Sequence, residues 1–292
     1  MSDADAQETL VLREISASDA SACVTLSRAV GWPHRIEDWE MVIGLGHGVV
    51  ATLGGEIVAT ALWWPYGEMH ATLGMIIVSP EHQGAGIGKR LMQGLFEQTK
   101  SRSLMLNATA AGEPLYARWG FVPCGGVSQY HGDALAVAAP SLRAGAILRA
   151  GAMLRPGAAA DLPELERLDR GASGLPRRAV LTALLERGEC VILERDGKAI
   201  GFSILRRFGR GLVVGPVVAP DEADAEALIA HWLHERQGQF VRVDIPVGSN
   251  LGDWLVERGL KPAGTVTAMV RGERPVVAGS ARLYALINQA LG

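Results

Sequence analysis

The chain has 292 residues, enough for two domains at about 150 residues each. Hydrophobic residues make up 48% and charged residues 20%, which supplies packed cores and excludes a disordered chain. Lys and Arg number 28 against 31 for Asp and Glu, a net charge of -3 with no basic run, so no clustered cationic face is available for nucleic acid.

The N-terminus carries Asp3, Asp5 and Glu8 where a signal peptide needs a basic start and an apolar stretch, so secretion is not expected. Leu10 to Glu14 alternates as a strand, and Asp19 caps a helix running to about Val30. Val49 to Leu53 and Ile57 to Trp64 are β-rich runs about Gly54-Gly55, which predicts a hairpin, with Ala71 to Val78 as the next strand. Ile87 to Lys100 places Leu91, Leu95 and Thr99 at helical spacing, and Leu104 to Leu106 is short and apolar. Pro114 to Trp119 predicts a brief helix ended at Gly120. This order gives an α/β fold, an α+β mixed sheet flanked by helices. Ala134 to Leu154 is interrupted by Pro140, Arg143 and Arg149, short of the roughly 20 uninterrupted apolar residues of a membrane span. It reads as a linker plus a strand or short helix. Cys23, Cys124 and Cys190 are odd in number, far apart and without metal-ligand spacing, so they read as buried thiols in a reducing, cytoplasmic compartment.

The two halves repeat. Val11-Leu12-Arg13 precedes Asp19 as Met153-Leu154-Arg155 precedes Asp161, with Leu26 and Arg28 answered by Leu168 and Arg170, all 142 residues apart. At the same offset Gly55-Glu56-Ile57-Val58-Ala59 meets Gly197-Lys198-Ala199-Ile200-Gly201. Ile77-Val78-Ser79-Pro80 then matches Val217-Val218-Ala219-Pro220, and Trp119-Gly120-Phe121 matches Arg258-Gly259-Leu260. The period exceeds that of a solenoid and predicts two tandem copies of one domain, over residues 1–133 and 151–292, joined by a linker at 134–150.

Between the strand ending Ile76-Ile77-Val78 and the next helix lies Gln83-Gly84-Ala85-Gly86-Ile87-Gly88. Three alternate glycines admit an anion to the backbone, and the helix adds free N–H groups and its positive dipole end. A Rossmann loop would want glycine at Lys89, and a P-loop would want glycine at Gln83 with Ser or Thr at Arg90. What the stretch resembles is the Gln/Arg-x-x-Gly-x-Gly/Ala signature of the GCN5-related N-acetyltransferase (GNAT) superfamily. The preceding Val78-Ser79-Pro80, the amphipathic helix and the downstream Leu115-Tyr116-Ala117-Arg118-Trp119-Gly120-Phe121 share the resemblance, which covers residues 10–131.

The resemblance implies acetyl-coenzyme A (acetyl-CoA) as cosubstrate. Ile77, Val78 and Ser79 would meet the pantetheine and acetyl oxygen through backbone groups, and Gly84, Ala85, Gly86, Ile87, Gly88 and Lys89 would meet the pyrophosphate. Tyr116 would protonate the departing thiolate. Thr72 stands where some relatives carry a glutamate base, so His70 on the same strand face is the candidate base, with Glu68 as a second and His82 as a surface residue. Trp32, Trp39, Trp63 and Trp64 are expected around the acceptor cleft, with at most one of the adjacent pair facing it. The second copy has Pro220-Asp221-Glu222-Ala223-Asp224-Ala225-Glu226 in place of the glycine loop and Leu255 in place of Tyr116, so it resembles a degenerate GNAT domain without a CoA loop. Its segment from Asp169 to Arg178, notably Arg170, Arg177 and Arg178, is a candidate lid over the acceptor site.

The expected activity is transfer of an acetyl group from acetyl-CoA to a primary amine of a small molecule or peptide by direct attack. The same residues also suit a non-catalytic acetyl-CoA-sensing module, against which Tyr116 argues, and a longer acyl group is compatible with the motif. Residues 1–132 hold 8 basic and 13 acidic side chains, congenial to a cationic acceptor. No metal, nucleic acid or membrane partner is expected, and a homodimer is left open.

Overall fold

The computed structural model of the chain describes residues 9–136 and 151–292. It divides into two compact units, residues 1–65 with 73–101 and residues 66–72 with 102–292. Pro140, Arg143 and Arg149 of the expected linker lie outside the described residues.

In the first unit β1 (Val11–Glu14) pairs antiparallel with β2 (His47–Leu53), which pairs antiparallel with β3 (Glu56–Tyr66). β4 (His70–Val78) lies beside β3. The unit also holds α1 (Ala20–Ala29), α2 (Ile36–Leu45) and α3 (Ile87–Thr99). Helix α2 has no counterpart in the sequence reading. It buries Trp39, Val42 and Ile43 at helical spacing, and Asp38 accepts the Arg35 amide at 2.9 Å to close its first turn. β3 is buried on both faces: Trp63 donates its indole N–H to Gln98 of α3 and Trp64 to the Val42 carbonyl of α2, each at 2.8 Å. Trp39 is fully buried and donates to Ser27. These three indoles are core; at most one of the adjacent pair was expected to face a cleft, and both are buried.

The second unit holds β5 (Ser103–Ala108), α4 (Glu113–Ala117) and β6 (Val122–Asp133), then β7 (Ala152–Gly157), α5 (Leu162–Ser173) and α6 (Arg178–Arg187). The hairpin of β8 (Gly188–Arg195) and β9 (Lys198–Phe208), then β10 (Gly211–Ala219) and α7 (Glu222–Glu235), follow. β11 (Phe240–Pro246), α8 (Leu251–Glu257), β12 (Lys261–Arg271) and β13 (Arg282–Ala285) complete it. Starting from the first residues of β4, the sheet runs β5-β12-β6-β11-β10-β9-β8-β7, with β13 added on β10.

The repeat is visible bond by bond. Arg13 holds Asp19 with two bonds of 2.8 Å, and the carboxylate accepts the Ser16 amide. Arg155 holds Asp161 at 3.1 and 2.7 Å, and that carboxylate accepts the Ala158 amide. Each pair ties the first strand of its copy to the turn that enters a helix, which is why the Arg and Asp recur six residues apart. The hairpin turns use Gly54-Gly55 and Asp196-Gly197, both residues of each pair at positive φ. Beyond α4 the Phe121 amide returns to the Tyr116 carbonyl, and beyond α8 the Leu260 amide returns to the Leu255 carbonyl.

The last strands of the two copies are exchanged. β12 pairs antiparallel with β5 of the first copy, Thr267 opposite Ala108 through Arg271 opposite Leu104. β6 pairs antiparallel with β11 of the second copy, Val127 opposite Pro246 through Asp133 opposite Phe240. The two exchanged strands also pair with each other. Residue 133 therefore ends a sequence repeat, whereas packing joins residues 102–133 to the second copy. A core of Val191, Leu193, Val214, Leu228, Trp232, Val243 and Leu255 lies beneath this sheet.

Candidate functional site

The glycine loop lies in the first unit. β4 ends at Val78, and the Ser79 amide donates to the Val58 carbonyl at 2.8 Å. After one turn over Pro80–His82, the Gln83 side-chain amide reaches back to the Val78 carbonyl at 3.2 Å. Gly84 and Gly86 take φ of +81° and +78°, the left-handed region that favours glycine, and a Cβ at either would meet nothing within 4 Å. A Cβ on Gly88 would meet only Val78 Cγ2, at 3.8 Å. Among the described residues the space over Gly84 and Gly86 is open, and Gly88 has room for a Cβ. The first backbone bond closing α3 runs from the Arg90 amide to the Gly86 carbonyl, so the amides of Gly86 through Lys89 precede the helical ladder. Among the described residues no side chain caps this end, and no acidic residue stands in its first turn. Lys89 and Arg90 are exposed beside it. Free donors, a positive dipole end, cations and room without Cβ atoms together suit a phosphate.

The strand leading to this loop is bent. Met75, buried and not glycine, sits at φ +51°, and the fully buried Thr60 of β3 donates its hydroxyl to the Met75 carbonyl at 2.8 Å. The ladder of β4 with β5 covers only His70, Ala71 and Thr72, opposite Ser103, Leu104 and Met105. Among the described residues Ile77, Val78 and Ser79 have no strand paired on that edge.

The second copy fills both corresponding places from its own chain. Val217, Val218 and Ala219, the counterparts of Ile77, Val78 and Ser79, pair antiparallel with Ala285, Leu283 and Arg282 of β13. The Leu286 amide then bonds the Asp244 carbonyl of β11, so β13 occupies the opening between β10 and β11. At the α7 N-terminus Asp221 accepts the Asp224 amide at 3.1 Å, Asp224 pairs with Arg195 at 2.9 Å, and Glu222 accepts from Asn250. Burial raises the Glu226 carboxyl, with Arg258 opposing. Leu255 is fully buried. The acidic stretch that stands in place of the glycine loop thus caps the helix.

Tyr116 and His70 both lie in the second unit. Tyr116, on α4, is 9% exposed, with its ring edge-on to Phe121. Burial pushes its phenol up to about 12, and among the described residues its hydroxyl has no hydrogen-bond partner. His70 stands opposite Ser103, the first residue of β5, and among the described residues its shielded Nε2 has no partner. Glu68 is an exposed residue of the β3–β4 turn. Thr72 is buried beside the Tyr66 hydroxyl, which donates to the Leu291 carbonyl at 2.7 Å.

The lid expected over 169–178 is corrected at Arg177. Its guanidinium is fully buried on Asp169, at 2.9 and 2.6 Å, and donates to the Gly292 carbonyl at 2.5 Å. Arg178 pairs with Glu166 at the surface. Arg177 therefore anchors the C-terminal segment. Sequence reasoning also missed Thr60 and β13; the only signal for the latter was a short Leu-Tyr-Ala run after a Pro- and Gly-containing stretch.

Two family models for the acetyltransferase (GNAT) domain match the chain, one over residues 44–123 and the other over 165–285. With the repeat and its bond pattern, they define the class: the chain belongs to the GNAT superfamily, as a tandem-domain member. It is 28% identical over 279 residues to the uncharacterized N-acetyltransferase YitH of Bacillus subtilis, covering 93% of this chain and 95% of that one. In fold it is similar to a GCN5-related N-acetyltransferase from Sphaerobacter thermophilus, with TM-score 0.66, 17% identity and coverage of 93% and 98% of the two chains. It is likewise similar to a tandem GNAT protein from the clavulanic acid biosynthesis pathway, with TM-score 0.64, 14% identity and coverage of 91% and 99%. Among the described residues no helix is long and apolar enough to cross a membrane.

Proposed function

We propose that this protein is a cytoplasmic N-acetyltransferase that moves an acetyl group from acetyl-CoA to a primary amine of a small molecule or peptide by direct attack. The observation that carries the reading is the contrast between the copies. Among the described residues the first leaves its helix end uncapped and its strand edge unpaired, whereas the second closes both with Asp221 and β13. That β13 fits the second opening supports an extended ligand carrying amides for the first, and pantetheine has that chemistry.

When bound, acetyl-CoA supplies an activated thioester. The amides of Gly84 through Lys89 hold the pyrophosphate, and the backbone of Ile77, Val78 and Ser79 holds the pantetheine and polarises the acetyl oxygen. Tyr116 donates a proton to the leaving sulfur; with its phenol near 12 it keeps that proton through the whole working range. His70 accepts the amine proton through water at its Nε2, which has no partner among the described residues. The test is thiol release with a panel of primary amines. Acceptor-dependent release that disappears in Gly86→Asp is expected, and thiol release indifferent to both amine and variant contradicts the reading.

A further inference from the structure

Met75 is out of place by every local rule. A buried methionine inside a strand gains nothing from a left-handed backbone, which crowds its Cβ against the following carbonyl. Such a conformation persists only where the surroundings over-determine it. One neighbour does so: the Thr60 hydroxyl, with no solvent exposure, donates to the Met75 carbonyl at 2.8 Å. Two residues along β3, the Val58 carbonyl receives the Ser79 amide. The contacts thus advance four residues along β4 for two along β3, as a strand carrying surplus residues at a bulge does. The bend falls between Thr72, the last residue laddered to β5, and Ile77, the first of the unpaired edge.

We infer that Thr60 is a positioning residue: its hydroxyl latches the Met75 bulge and so sets the direction in which Ile77, Val78 and Ser79 present their backbone to the pantetheine arm. Thr60 touches no ligand; it acts through β4. The inference rests on the acetyl-CoA reading above, and it separates the two ends of the ligand. The phosphate end depends on the glycine loop and the α3 N-terminus, which the latch does not hold. The pantetheine end depends on the strand, which it does.

The test is calorimetric titration of the full chain with two probes, coenzyme A and adenosine 3′,5′-bisphosphate, which carries phosphates without the pantetheine arm. Thr60→Val keeps the shape and deletes the donor. It is expected to weaken coenzyme A about tenfold, equal to about 1.4 kcal/mol, while the bisphosphate stays within about twofold, and Thr60→Ser restores the coenzyme A affinity. Equal weakening of the two probes, an unchanged coenzyme A affinity in folded Thr60→Val, or failure of Thr60→Ser to restore it overturns the latch. If Thr60→Val does not fold, the pair Met75→Gly and Thr60→Val/Met75→Gly decides. Glycine takes positive φ without a latch, so the double variant is expected to fold and bind coenzyme A within about twofold of Met75→Gly. A double variant that stays unfolded or loses the probe overturns the inference. Wild-type protein that binds neither probe defeats the acetyl-CoA reading itself, a distinct result.

Discussion

Replacing Gly88 with alanine adds one methyl group at the second residue of α3, where φ is ordinary and the new Cβ would meet only Val78 Cγ2, at 3.8 Å. Among the described residues nothing opposes the change, and alanine gains up to about 1 kcal/mol of helix propensity over glycine. Folding stability should hold or rise. Ligand binding should move the other way, because the methyl stands among the amides that precede the helical ladder. Losing one charge-assisted hydrogen bond there, about 1.5–3 kcal/mol, corresponds to coenzyme A binding about 10- to 150-fold weaker. Gly94, in the middle of the same helix, supplies the control: its Cβ would rest 3.7 Å from Val49, so Gly94→Ala should gain similar stability and leave affinity unchanged. Calorimetry and thermal unfolding on the same samples read both quantities. A folded Gly88→Ala that binds coenzyme A as tightly as wild type refutes the phosphate assignment.

Three further outcomes follow from named groups. Tyr116→Phe should lower kcat by about 100-fold or more while leaving acetyl-CoA affinity intact, and the wild-type rate should show no loss from Tyr116 ionisation at pH 9–10, because burial holds the phenol near 12; stopped-flow thiol detection across pH checks both. Asp169→Ala should destabilise the protein by about 3–5 kcal/mol in urea unfolding, since it strands the buried Arg177 charge, and Asp169→Leu/Arg177→Met should recover much of that. The Arg13 hydrogen bonds hold the Asp19 carboxyl down at about 2, below its ordinary 3.8, so its stabilisation is present above pH 4 and is lost as pH falls toward 2; acid unfolding of Asp19→Asn should lack that component.

The glycine loop was legible because its signal is local: positive φ and absent Cβ atoms demand glycine, and the amphipathic helix follows at once. The Arg13–Asp19 and Arg155–Asp161 pairs were legible as a repeat before their bonds were known. The exchange of β6 and β12 was not, because each follows a short helix and a glycine turn in the same way, and which edge a strand joins is settled by packing. Met75 carries no mark of its bend, since the cause sits 15 residues away in the Thr60 hydroxyl. Arg177 was read as part of a lid over the acceptor site; its burial follows from a carboxylate eight residues earlier and from the carbonyl of residue 292. β13 is four residues long, and nothing in Arg282–Ala285 announces that it fills an opening shaped like the one in the first copy.

Titration of the full chain with acetyl-CoA, in parallel with Gly86→Asp, tests the central claim most directly. In that variant a carboxylate and a Cβ enter the space over a helix end that has no cap of its own. The wild type should bind one acetyl-CoA per chain, and Gly86→Asp none, because the second copy's helix end and strand edge are already occupied by Asp221 and β13. Two molecules per chain, or one that survives Gly86→Asp in a folded protein, would contradict the account.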